Sequence, residues 1–133
     1  MGKAKQLTVW VESTPGQIGT IARALGQAKV NITAFTCYSL AGESPVRVQV
    51  NQHAKARKIL QELGLRVTEE EVLRVTVGDK PGALGVIGAR LGEAGINVEY
   101  AYGAVGEKAR KADLVFAVSD LAGATRALRG LKG

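Results

Sequence analysis

The sequence predicts an α+β protein assembled from two copies of one small β-α-β-β-α unit, and three observations carry that reading. A long segment repeats without a gap, apolar residues alternate at period two at the head of each repeat, and apolar residues farther on recur at helical spacing. Leu7 to Asn31 aligns with Leu73 to Asn97 at a constant offset of 66, with 11 of 25 positions identical. Farther on the offset becomes 68, pairing Ala54, Leu60 and Leu63 with Ala122, Leu128 and Leu131, so the second copy carries two extra residues in a loop. The chain is a tandem duplication, with copy boundaries expected at residues 1–70 and 71–133.

Each copy opens on alternation, Leu7-Thr8-Val9-Trp10-Val11 and Leu73-Arg74-Val75-Thr76-Val77, the pattern of a half-buried strand. A turn and a helix follow. Ser13 or Thr14, and Asp79, are the expected N-caps, with Pro15 and Pro81 in the first helical turn. Ile18, Ile21, Ala22, Leu25 and Ala28, matched by Leu84, Ile87, Leu91 and Ala94, form one stripe expected to be buried, and Gly95 ends the second helix. Second strands start at Val30-Asn31-Ile32 and Ile96-Asn97-Val98. Turn residues at Gly42 to Pro45 and Gly106 to Lys108 lead into third strands at Val46 to Val50 and Leu114 to Val118. Second helices present Ile59, Leu60 and Leu63, and Leu121, Ala124, Leu128 and Leu131. Leu65-Arg66-Val67 gives copy one a short fourth strand; copy two lacks its own. The arrangement is the ferredoxin-like βαββαβ module, twice, the second without its last strand.

Composition narrows the function. Of 133 residues, 46% are hydrophobic and only 5% aromatic, so the core is aliphatic. No apolar run approaches the roughly 20 residues of a membrane span, and Met1 to Gln6 lacks a signal peptide's apolar segment, so a soluble cytoplasmic protein with no membrane partner is expected. One cysteine, Cys37, and one histidine, His53, leave no internal disulfide and no metal site to expect. The net charge of +6 is lopsided: residues 1–66 hold nine Lys/Arg against three Asp/Glu, and residues 67–133 nine against nine.

The string Asp79-Lys80-Pro81-Gly82-Ala83-Leu84, followed at helix length by Ala94-Gly95-Ile96-Asn97-Val98-Glu99-Tyr100, resembles the ACT domain, a small regulatory module. Copy one carries a looser version, Ser13-Thr14-Pro15-Gly16-Gln17-Ile18 and Ala28-Lys29-Val30-Asn31-Ile32. The resemblance covers nearly the whole chain twice and is to the free-standing tandem ACT protein. It implies a non-catalytic, cofactor-free sensor of an amino acid, associating in pairs and acting on a metabolic enzyme or regulator. In related modules the ligand lies between the first turn and the start of the second strand, commonly between modules. That places ligand contacts at Ser13, Gly16, Gln17, Ile18, Asn31 and Ile32, and at Asp79, Gly82, Ala83, Leu84, Asn97 and Val98.

Elementary chemistry supports those positions. A helix opening leaves backbone N–H groups unpaired at the positive end of its dipole, glycine lets a carboxylate approach, and an asparagine amide both donates and accepts. The same residues also have structural roles, glycine in a tight turn and asparagine at a strand entrance. Copy two, the closer match and free of a residue like Glu12, is expected to bind more tightly.

The remaining residues read as structural. Gly82 to Gly88 lacks dinucleotide-fingerprint spacing. His53 is expected at the surface or as a cap, Cys37 as a buried small hydrophobe, Glu69-Glu70-Glu71 as a solvated linker, and Phe35, Tyr38, Tyr100 and Tyr102 as packing residues. The rival function is RNA binding by the basic first half through Trp10. Against it, the third strand Val46-Arg47-Val48-Gln49-Val50 has no aromatic on which to stack a base. The missing strand leaves Leu73 to Val77 as an edge needing cover, from Val67 to Glu71 or from a second chain, and a two-fold homodimer is expected.

Overall fold

The computed structural model describes residues 1–131; Lys132 and Gly133, the end of the second copy as the sequence bounds it, lie outside the described residues. The chain divides into two compact units, one spanning Lys5–Glu70 and the other running from Glu71 onward and taking in Met1–Ala4.

The first unit uses β1 (Gly2–Glu12) from Lys5 on, α1 (Gln17–Gln27), β2 (Ile32–Cys37), β3 (Glu43–Val50), α2 (His53–Glu62) and the start of β4 (Arg66–Gly78). Its strand order is β2-β3-β1-β4. Antiparallel pairing sets Leu7 opposite Val48 and Val11 opposite Ser44, so the odd-numbered apolar residues of β1 face one way. They bury Leu7, Val9 and Val11 with Ile21 and Leu25 of α1 and Ala56 and Leu60 of α2. On the opposite face of β1, Gln6 and Thr8 are buried as well, and both donate to Glu70 Oε1, Gln6 Nε2 at 3.1 Å and the Thr8 hydroxyl more closely.

The second unit repeats the plan with the rest of β4, α3 (Ala83–Glu93), β5 (Val98–Ala104), β6 (Lys111–Val118) and α4 (Leu121–Ala127). The order is β1-β4-β6-β5. Leu73, Val75 and Val77 pack with Ile87, Leu91, Phe116, Ala124 and Leu128. Across β4 and β6, Arg74 clasps the Asp113 carboxylate through Nε at 3.2 Å and Nη2 at 2.8 Å, and Thr76 donates to its other oxygen. The other face of the sheet carries Val72, Val115 and Ala117 with Ala4, Tyr100 and Tyr102 packed against them. Among the described residues no strand follows α4. Its place beside β4 is taken by β1, whose Gly2–Ala4 end joins this unit. The cover for β4 is therefore the chain's own first strand, and neither Val67–Glu71 nor a second chain is needed there.

Several local expectations give way. The glutamate run is no linker, because β4 passes through it without a break. Neither α1 nor α3 has a side-chain cap; each starts after a left-handed glycine, Gly16 at φ 90° or Gly82 at φ 88°, and the prolines stand one residue ahead of those glycines. Ile18, Leu84 and Leu63 are exposed, as are Phe35, Tyr38 and Cys37. Ile18 and Leu84 sit too close to the helix start to reach the core, Leu63 falls at the C-cap of α2, and the other three belong to β2, an edge strand, or to the loop beyond it. Only Tyr100 and Tyr102 of the four ring residues pack as expected.

Both first helices end in the same hydrogen-bonded turn. Val30 N donates to Leu25 O and Lys29 N to Gly26 O, and Ile96 N and Gly95 N do the same to Leu91 and Gly92. This is a Schellman motif, with its apolar contact supplied by buried Val30 and Leu25 or Ile96 and Leu91. The residue at the left-handed position is Gly95 in the second copy and Lys29, at φ 62°, in the first. A side chain there costs about 1 kcal/mol. Lys29→Gly should therefore stabilise the protein by about 1 kcal/mol, and Gly95→Ala should destabilise it by a similar amount, read as opposite shifts of the urea midpoint. Glu70→Leu removes the acceptor from two buried donors. It should cost about 2 kcal/mol in the same measurement, against near zero for Glu71→Leu.

Candidate functional site

The strand-to-helix turn of the first unit is built by its backbone. As β1 ends, Ser13 N donates to Gly42 O at 2.9 Å and Thr14 N to Glu12 O, which fixes the chain against the start of β3. Pro15 then pre-sets one dihedral, Gly16 supplies the left-handed one, and the chain enters α1 at Gln17. Gln17 Nε2 reaches back to Thr14 Oγ1, and Thr20 Oγ1 donates to Gly16 O. The first amide groups of α1 have no partner within the helix and no side-chain cap.

This turn forms one wall of an open cleft of about 380 Å³. Every residue from Val11 to Ile18 lines it, including the expected Ser13, Gly16, Gln17 and Ile18. Facing them are Cys37, Tyr38 and Ser39 at the end of β2 and Ser44 and Val46 of β3. The Ser13 and Ser39 hydroxyls lie 2.7 Å apart, and the Tyr38 hydroxyl accepts from Arg47 Nη1 at 3.0 Å, with the Arg47 guanidinium over the Tyr38 ring. The cleft thus joins the positive end of a helix to a carboxylate, Glu12, and several hydroxyls.

The second turn is built alike, with Ala83 N donating to Lys80 O across Pro81-Gly82, but its surroundings differ. A cleft of about 350 Å³ beside it is lined by Val77, Gly78, Lys80, Ala83, Val86, Arg90, Gly130 and Leu131. Of the residues expected there, Ala83 takes part, while Asp79, Gly82 and Leu84 stand outside this lining. The position of Glu12 is held by Gly78, so the cleft is cationic and has no carboxylate.

Asn31 and Asn97 are not brought to these turns within their own units. Asn31 N donates to Asn51 Oδ1 at 2.9 Å, and Asn51 N donates to Asn31 O; Asn97 does the same with Ser119, through the Ser119 hydroxyl. Ile32 pairs with Val50 at one end of β3, whereas Ser44 lines the cleft at the other. Six residues of strand separate them by about 20 Å. In the second unit Val98 pairs with Val118 and Gly78 with Lys111, about 23 Å apart along β6 by the same rise. The Asn31 and Asn97 backbones are engaged and both residues are exposed.

Sequence reading took Tyr38 as a packing residue, passed over Ser39 and Ser44, and counted Glu12 against binding at the first turn. Their convergence depends on how the β2–β3 hairpin folds back, which no periodicity encodes. Trp10, the residue on which RNA binding rested, has its ring covered by the Arg66 guanidinium 4.9 Å from the centroid. Among the described residues no three metal-ligating side chains come together, and no helix is long and apolar enough to cross a membrane.

The sequence matches the model of the ACT domain pair over residues 2–128. No curated protein matches it. In fold it is similar to the crystal structure of a protein from Bacteroides thetaiotaomicron, at 24% identity and a TM-score of 0.88, over 96% of this chain and 87% of that one. It is also similar to the regulatory subunits of aspartate kinase from Thermus thermophilus, in its ligand-free form, and from Thermus flavus. Identities there are 16% and 14% and TM-scores 0.69 and 0.64, each over 96% of this chain and 95% of the other. With two repeated βαββα modules, a left-handed glycine at each first turn and a family match that runs through both copies, the chain belongs to the ACT family, as a pair of its regulatory ligand-binding domains.

Proposed function

We propose that this ACT pair is a non-catalytic sensor that binds a free amino acid at the first turn and passes its occupancy to a metabolic enzyme or regulator. The observation that carries the reading is the cleft in which the opening of α1 and the Glu12 carboxylate share one wall. An amino acid is a zwitterion. Its carboxylate suits the unpaired amides at the helix opening beside Gly16, and its ammonium suits Glu12 with the Ser13 and Ser39 hydroxyls. Ile18 and Tyr38 supply apolar surface for a side chain. On this reading Glu12 favours the ligand, and the first turn is the tighter site. The second turn, with Asp79, Gly82, Ala83 and Leu84, lacks a carboxylate inside its cleft and is the weaker one.

Asn31, Ile32, Asn97 and Val98 reach a ligand only at the turn of another module, because about 20 Å separates them from their own. A second copy of the chain provides one. In the first unit Phe35 and Leu40 are each 58% exposed, apolar residues suited to such pairing. Ligand held across two copies biases their arrangement, and a partner that prefers one arrangement then senses the amino acid.

Calorimetric titration of the full chain with each of the twenty amino acids should find one saturable binder. Glu12→Gln should weaken it about tenfold, the value of one charge-assisted contact. Gly16→Val, strained at its positive φ although its surroundings are open, should abolish binding, whereas Gly82→Val should spare it. Survival in the first variant with loss in the second assigns the ligand to the other turn. Light scattering at micromolar concentration should give about twice the 13.9 kDa chain mass; a mass of one chain with ligand present defeats the shared site.

A further inference from the structure

We propose that the first module carries a second ligand site, a basic cleft beside the start of α2 that takes a small phosphate-bearing molecule. The cleft measures about 380 Å³ and is lined by Lys5 of β1, His53, Arg57, Lys58 and Gln61 of α2, and Glu69 of β4. It is separate from the strand-to-helix turn and does not depend on the amino-acid reading.

Its charge is unbalanced. Glu69 is the sole carboxylate in the lining and is already occupied, with Oε2 3.1 Å from Arg57 Nη1 and 3.0 Å from His53 Nε2. Lys5 and Lys58 have no ion-pair partner among the described residues. Both ring nitrogens of His53 are shielded from solvent, and neither makes a hydrogen bond of good geometry. Two of these residues, His53 and Arg57, lie in the N-terminal half of α2, where the dipole disfavours added positive charge, and no acidic residue or side-chain cap lies in its first turn.

The duplicated module supplies the comparison. Gln52, the N-cap of α2, aligns at offset 68 with Asp120, the N-cap of α4. Asp120 behaves as a stabilising cap, its carboxylate accepting from Gly123 N at 2.9 Å. Gln52 instead sends its amide to Lys29 O, leaving the helix opening without an anion. At the same offset His53 and Arg57 align with Leu121 and Thr125, whereas Lys58 aligns with Arg126, so His53 and Arg57 are particular to this copy. An anion in the cleft would meet the Arg57 fork and two ammonium groups. Several oxygens sharing two negative charges fit that better than one carboxylate. No Phe, Tyr or Trp lines the cleft, and its volume suits a small phosphorylated molecule rather than a nucleic-acid strand.

The test is calorimetry on the full chain with pyrophosphate as the probe, at low salt, with sodium chloride at matched ionic strength as reference. One saturable site is expected. Affinity should fall at least tenfold in the Arg57→Ala, Lys58→Ala double variant and stay unchanged in Arg23→Ala, which removes an exposed charge on α1. All three positions are exposed, so folding is retained, which circular dichroism checks. Heat that follows ionic strength alone, or pyrophosphate binding unaltered by the double variant, overturns the proposal. Salt-sensitive binding of a poly-uridine strand that is lost in the double variant, without any pyrophosphate site, assigns the cleft to a nucleic-acid backbone and overturns it too.

Discussion

Gly16 and Gly82 hold φ near 90°, and on that dihedral the strand-to-helix turns, the helix openings and the clefts beside them depend. Proline ahead and glycine at the left-handed position swing the chain from strand into helix within a few residues. Because glycine occupies the cap, no side-chain oxygen folds onto the first amides of α1 or α3. The constraint that makes the turn tight thus also keeps the positive end of the helix open to a ligand.

How much of this was legible follows from what each feature needs. The cores were readable: Leu7, Val9, Val11, Ile21 and Leu25, and their copies at 73, 75, 77, 87 and 91, sit where period-two and helical spacing put them. Those patterns record burial on one face, and burial is what they delivered. The turn residues were also visible, since Pro-Gly occurs at matching places in both copies. The cleft was not. Ser39 and Ser44 reach it through a hairpin, and the Asn31 side of the expected site lies at the far end of the same strand, a separation that proximity in sequence conceals. The glutamate run misled because charge reads as linker, whereas strand β4 carries Glu70 on a face where Gln6 and Thr8 donate to it.

Duplication followed by divergence is visible in pairs of equivalent residues. Lys29 stands where the other copy has Gly95, Gln52 where it has Asp120, Glu12 where it has Gly78. The first two substitutions place a less stabilising residue in the first copy, one in backbone strain and one in a lost cap. The third changes the charge of a cleft. The second copy keeps the better local rules for folding, and the first keeps more chemistry at its surface, a division expected where function and stability draw on the same positions.

The strand that begins in one unit and finishes in the other bears on how the protein is made. Gly2–Ala4 complete the sheet of the second unit, and Ala4 packs against Val72, 68 positions later. A growing chain therefore gives these residues their neighbours only after an entire further module has been synthesised. Loop-closure entropy over that distance makes their docking a late event, and the second unit reaches its full set of strands only then. The first unit in turn needs the start of β4, so neither copy is finished as an independent translation product. Order of synthesis and order of assembly run in opposite directions at this strand.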